Sequence, residues 1–95
     1  MEDEEEELES ELINIHAARA EVIRGYYGGI GGLWRKLQEH GAVRLPRKTV
    51  EKWFERDRVP ESRFLFILKI IENEDDEERF LTHLTEHGYV AKDII

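Results

Sequence analysis

Apolar side chains recur every three or four residues along most of this chain, and glycine and proline interrupt the recurrence at several points. Such spacing is the period of an α-helix that buries one face. No segment alternates apolar and polar residues for long enough to indicate a strand, and no internal repeat is visible. The pattern predicts an all-α fold, and 95 residues are enough for one small domain.

The periodic segments predict about five helices. The first is expected over about residues 8–27, and the glycine cluster of residues 25–32 that ends it predicts a turn or hinge rather than a phosphate loop. The others are expected over about residues 30–40, 46–56, 60–72 and 75–87.

Glycine and proline mark the ends of these segments. Gly41 and Gly88 are placed to terminate the second and fifth helices, and Pro46 and Pro60 to begin the third and fourth. The apolar residues after Gly88, at 89–95, are expected to dock on the domain or on a partner.

Charge is strongly segregated along the chain, whose net charge is -8. Residues 1–11 hold eight acids and no base, residues 12–71 have a net charge of +6, and residues 72–95 have a net charge of -6. Residues 1–7 are expected to be an acidic disordered tail on a helical domain of residues 8–95. A local excess of one sign marks the surface that attracts a charged partner, so the basic middle predicts an anionic one.

Several classes of protein are disfavoured by the composition. Without cysteine the chain has no disulfide, thiolate zinc site or cysteine nucleophile, and its longest apolar run, Phe64 to Leu68, is too short to cross a membrane. No serine or threonine lies beside an evident base, and paired carboxylates occur only inside charge runs, so we expect no enzyme. We also expect no cofactor and no metal. His83 and His87 are interpreted as ordinary histidines rather than metal ligands. The expected location of the protein is cytoplasmic.

The third helix is the segment that carries a functional prediction. A rotation of about 100° per residue groups Val50, Trp53 and Phe54 on one side. The opposite side is polar and consists of Lys48, Glu51, Lys52, Glu55 and Arg56. Six bases and three acids lie between Arg44 and Arg58. This composition is typical of a helix that enters a DNA major groove, although an ordinary solvated helix face has a similar pattern.

The segment also resembles a known family. Leu33-Trp-Arg-Lys-Leu37, a turn, Pro46-Arg-Lys-Thr-Val-Glu-Lys-Trp53, and Arg58-Val-Pro-Glu61 at the start of a new helix together resemble the helix-turn-helix of phage Cro/repressor-like proteins. The resemblance covers residues 30–71 and places the helix-turn-helix at about residues 30–57. The connection between the two helices is longer than in the family, and Trp34 stands where a small residue is usual.

The resemblance implies a role for individual residues. The inward anchors of the motif are Leu33, Leu37, Val50 and Trp53. The base-contacting residues are Arg47, Lys48, Glu51 and Lys52. The residues that contact phosphate are Arg44, Thr49, Arg56 and Arg58.

The implied function is sequence-specific binding of double-stranded DNA by a phage or mobile-element transcriptional regulator, such as a repressor, associated with the nucleoid. A homodimer is expected, because one such module reads only a few base pairs, with contacts from the first helix or from residues 64–71 and 89–95. Two hypotheses concern the acidic segment from Glu2 to Glu11: it covers the basic helix when DNA is absent, or it contacts a basic protein.

Two alternatives remain open. An acidic helical protein of this size also suits an interaction module or a DNA mimic that inhibits a nucleic-acid-binding enzyme, with residues 1–11 and 72–78 as its contact surface. The longer connection suits a DNA-recognition subunit for packaging as well.

Overall fold

The computed structural model describes residues 15–95, and within them the chain forms six helices and no strand. Helix α1 covers residues 15–26 of this range. It is followed by α2 (Ile30–Glu39), α3 (Arg47–Glu55), α4 (Glu61–Asn73), α5 (Glu77–Glu86) and α6 (Ala91–Ile94). The all-α prediction is confirmed. The expected start of the first helix near residue 8 and the acidic tail of residues 1–7 lie outside the described residues.

The first five helices all end in a Schellman arrangement, in which two amides beyond the helix bond back to carbonyls of its last turn. After α3, the Asp57 amide donates to the Phe54 carbonyl at 3.2 Å and the Arg58 amide donates to the Trp53 carbonyl at 2.8 Å. The arrangement needs one residue with positive φ. These residues are Gly28, Gly41, Asp57, Asp75 and Gly88. The predicted helix ends at Gly41 and Gly88 are therefore confirmed.

The glycine cluster forms the predicted turn between α1 and α2. Gly28 and Gly29 have backbone φ values of 73° and 119°, which residues with a side chain rarely adopt. Gly32 is required for another reason, since a Cβ atom on it would lie 2.0 Å from the Tyr27 carbonyl oxygen. The cluster thus brings the end of α1 into direct contact with the first turn of α2.

A single apolar core joins the helices, and among residues 15–95 no polar or charged residue is buried in it. Its fully buried members come from every long helix: Val22 and Ile23 from α1, Leu33 and Leu37 from α2, Val50 from α3, Phe64 and Ile67 from α4, and Phe80 and Leu84 from α5. The one described core therefore agrees with a single small domain.

The C-terminal residues dock on the domain, which was one of the two expectations for them. Ile94 is buried, and its carbonyl oxygen accepts a hydrogen bond of 2.7 Å from Nε of Arg19 on α1. Arg19 also pairs with Glu61 at 2.8 Å and lies over the Phe64 ring. The helix α6 in this segment was not expected from the sequence, because four residues are too few to show helical periodicity.

Within residues 15–95, none of the helices combines the length and the apolar character that crossing a membrane requires.

Candidate nucleic-acid interface

Helix α3 is positioned by a connection, residues 40–46, that is fastened to α2. The indole Nε1–H of Trp34 donates to the Leu45 carbonyl at 2.9 Å. Nε2 of Gln38 donates to the carbonyls of Ala42 and Leu45 at 2.7 and 3.1 Å. The extra length of this connection is therefore matched by side-chain donors on α2, and Trp34 contacts the connection itself. Sequence reasoning missed this role of Trp34 and Gln38.

The inward side of α3 is buried as expected. Val50 is fully buried and Trp53 is 7% exposed, and the predicted partners Leu33 and Leu37 on α2 are fully buried. Since these anchors hold one side of α3 in the core, the opposite side must face outward.

The outward side of α3 carries long cationic side chains. Lys48 and Lys52 are exposed, and neither forms an ion pair with another of the described residues. Glu51, which lies between them, is half exposed, and its Oε1 atom is 3.5 Å from Nε of Arg47. Both lysines therefore have ammonium groups available to an external anion or base edge.

Arg47 is oriented toward α2 rather than straight outward. A Cβ atom on Gly31 would lie 3.6 Å from Nη2 of Arg47 and 3.8 Å from Nη2 of Arg35. Two guanidinium groups thus converge above one glycine, an arrangement that suits a phosphate group as well as a base edge. Arg35 had not been predicted as a site residue, because on α2 alone it resembles any exposed arginine.

Three of the four predicted phosphate-contacting residues, all arginines, flank α3. Arg44 lies before it, and Arg56 and Arg58 lie after it around the tight turn at Asp57; all three arginines are exposed. Thr49 is half buried in the first turn, where its amide donates to the Pro46 carbonyl at 3.1 Å. The cations are placed around both ends of the outward face.

A charged cluster links the C-terminal end of α2 to the end of α4. Glu74 accepts hydrogen bonds from Lys36 at 3.1 and 3.2 Å, and its Oε1 atom lies 2.6 Å from Nε2 of His40. Hydrogen bonding to His40 and then to Lys36 holds the pKa of the Glu74 carboxyl below its ordinary value. The same bond to Glu74 raises the pKa of Lys36. This cluster links α2 to the residue that follows α4, and the carboxylate of Glu74 is paired within the domain.

His83 and His87 lie together on α5 with ring centroids 4.2 Å apart. Nδ1 of His87 is 2.9 Å from the His83 carbonyl oxygen, while Nε2 of His83 is buried beside Gly25. Within the described part of the chain, no group of three or more potential ligands comes together to hold a metal ion. His83 is half buried and His87 is exposed.

The segment of residues 72–78, one of the acid clusters of the alternative hypothesis, is only partly available. Glu74 is engaged by Lys36 and His40, and Glu72 lies 3.5 Å from Nζ of Lys69. The other acidic cluster, residues 1–11, lies outside the described residues.

Comparison of the chain with protein-family models, with curated proteins and with solved structures gives no match, so what the protein binds has to be inferred from its own surface.

Proposed function

We propose that the protein binds double-stranded DNA with sequence specificity and places the outward side of α3 in the major groove. The observation that carries the proposal is the division of α3 into two faces. Val50 and Trp53 are buried, while Lys48 and Lys52 are exposed with no ion pair among the described residues. Forked or flexible cationic donors on an exposed helix are the groups that read guanine edges, and a carboxylate such as Glu51 accepts from cytosine.

The flanking cations support the same proposal. Arg44, Arg56 and Arg58 lie at the two ends of α3, where they are suited to neutralise phosphates on either side of the groove. In the described acidic segment, residues 72–78, Glu74 and Glu72 are paired with cations of the domain, whereas its other four acids form no ion pair with a described residue, so the alternative of a DNA mimic stays open. In this proposal the protein acts by occupying an operator as a nucleoid-associated transcriptional regulator, with no chemical turnover.

We propose that the protein acts as a homodimer, since a single module reads few base pairs. A cleft of about 280 Å³ between α4, α5 and the C-terminus is lined mainly by apolar residues. Two of them, Leu81 and Ile95, are 41% and 55% exposed. A second copy that covered this face would remove both from water. Sedimentation of the Leu81→Lys variant is expected to show the monomer, whereas the wild type sediments as a dimer.

The test of DNA binding compares two double variants with the same loss of charge. Lys48→Ala with Lys52→Ala is expected to weaken specific binding by about 2 kcal/mol or more, roughly 30-fold in Kd, because each base contact contributes about 1–3 kcal/mol. Arg24→Ala with Arg79→Ala removes two exposed cations outside α3 and outside the cleft proposed for dimerisation, and is expected to retain specific affinity. Equal losses in both variants would show that only total charge matters.

Selection of bound sequences from a random duplex pool at fixed salt provides the readout. Enrichment of a two-fold symmetric sequence is expected for a dimeric regulator. A wild-type protein that passes through a heparin or DNA column at low salt contradicts the proposal and favours the interaction module or DNA mimic.

A further inference from the structure

A cleft beside the N-terminus of α3 is lined by apolar residues and two arginines. It lies between the connection of residues 40–46 and the first turn of α4, and its volume is about 550 Å³. Its walls are mostly apolar, with Val43, Leu45 and Pro46 among them. The charged side chains that line it within the described structure are Arg44 and Arg63, with no carboxylate.

Arg63 is the residue that gives the cleft its chemical character. It is half buried, and within the described residues it forms neither an ion pair nor a side-chain hydrogen bond. Arg19 provides a contrast, because it is also partly buried but is paired with Glu61 and with the Ile94 carbonyl. Because no carboxylate of the described lining neutralises Arg63, its positive charge favours an incoming anion.

We propose that this cleft holds one sugar–phosphate unit of the DNA backbone. Arg44 and Arg63 hold the phosphate from two sides, since guanidinium forks match phosphate oxygens. The apolar edge of the deoxyribose lies against Val43, which is 70% exposed, and against Pro46. The inference rests on the proposed function, because a duplex read by Lys48 and Lys52 passes next to this cleft at the start of α3.

The test measures the salt dependence of duplex affinity for Arg44→Gln and Arg63→Gln. The control is Arg24→Gln, which removes one exposed cation from α1. One lost phosphate contact is expected to reduce the slope of log Kobs against log[NaCl] by about 0.9, and to weaken specific and nonspecific duplexes by the same factor. The two substitutions combined are expected to reduce the slope by about 0.9 in total and not by twice that amount, because both guanidinium groups neutralise the same phosphate. A folded double variant with the wild-type slope, or with twice the expected reduction, overturns the proposal.

A second experiment tests the cleft independently of duplex binding. Wild-type protein is titrated with deoxyadenosine monophosphate at low salt while the guanidinium Hε resonances are followed by NMR. Those of Arg44 and Arg63 are expected to shift, while that of Arg24 stays in place. If the wild type binds no duplex, the proposed function is refuted, and this titration alone tests whether the cleft binds a sugar–phosphate unit. Equal shifts at all three arginines, or no shift at any of them, would overturn that proposal.

Discussion

The indole Nε1–H of Trp34 and the carbonyl oxygen of Leu45 form a hydrogen bond of 2.9 Å that joins α2 to the residues leading into α3. Because Leu45 is itself buried, this bond and the packing of its side chain hold the end of the connection in one place. The orientation of α3 therefore depends on α2 in two ways, through the core anchors and through this polar contact.

We expect Trp34→Phe to keep the fold and to weaken DNA binding. An aromatic ring is retained, but the N–H donor and part of the packing of the larger indole are lost, which should lower the free energy of unfolding by at least about 0.5–1.5 kcal/mol. Gel-shift affinity and thermal unfolding measure the two effects. In the wild type the Trp34 indole proton should exchange slowly with water; exchange as fast as that of free indole contradicts the bond.

Neighbouring glycines in the first turn of α2 should respond oppositely to alanine. A Cβ on Gly31 meets only ordinary contacts. Gly31→Ala is therefore expected to raise the free energy of unfolding by about 0.4–1 kcal/mol, because alanine lowers the conformational entropy of the unfolded chain. A Cβ on Gly32 would lie 2.0 Å from the Tyr27 carbonyl oxygen, so Gly32→Ala is expected to lower it by roughly 3 kcal/mol. Denaturant unfolding of the pair checks the sign, and similar values for both would contradict the tight turn.

Asp57 occupies a left-handed backbone conformation, with φ of 49°, between Arg56 and Arg58. Asp57→Gly is expected to stabilise the domain by about 1 kcal/mol, because glycine adopts this conformation without steric cost. It should also tighten DNA binding by removing a negative charge from the proposed interface. Asp57→Asn removes the charge but keeps a side chain, so it should tighten binding with little change in unfolding midpoint. A tighter complex with glycine but not with asparagine would contradict the electrostatic part.

Trp53→Ala should unfold the protein at ordinary temperature. Removal of a buried large aromatic side chain costs about 3–5 kcal/mol, which is most of the stability of a small domain. Val43→Ala is the matched control, since Val43 is exposed and its truncation should leave the unfolding midpoint almost unchanged. Circular dichroism with temperature gives both values. Cooperative unfolding of Trp53→Ala at the wild-type midpoint would show that the indole is not a core anchor.

Glu74 should contribute to the pH dependence of stability. Its pKa is held below the ordinary value of 4.5 by His40 and Lys36, so the folded state prefers the carboxylate. The contribution is therefore present above pH 4.5 and is lost as the pH falls through the lowered pKa of the folded state. Glu74→Gln should be less stable than the wild type near pH 6, and the difference should shrink as the pH falls below 4.5. Urea unfolding across this range measures it, and a constant difference would contradict the linkage.

Much of the fold could be predicted because it depends on short-range pattern. The spacing of Val50 and Trp53 predicted the buried side of α3, and Gly41 and Gly88 predicted two helix ends. The ends of α3 and α4 were predicted to within one residue, but the positive φ of Asp57 and Asp75 at these ends was not, because aspartate at positive φ carries no sequence signal that separates it from other surface acids. The short helix α6 was missed since its single turn is stabilised by docking on α1.

The candidate interface also has features that the sequence predicted and features that it did not. That α3 has an apolar and a cationic side follows from the sequence alone, because helical rotation places residues three and four apart on one face. The convergence of Arg35 with Arg47, the cleft shared by Arg44 and Arg63, and the hold of Trp34 on Leu45 were decided by the tertiary structure. Each of these joins residues of different segments, and no periodicity within one segment specifies how two helices and their connection lie against each other.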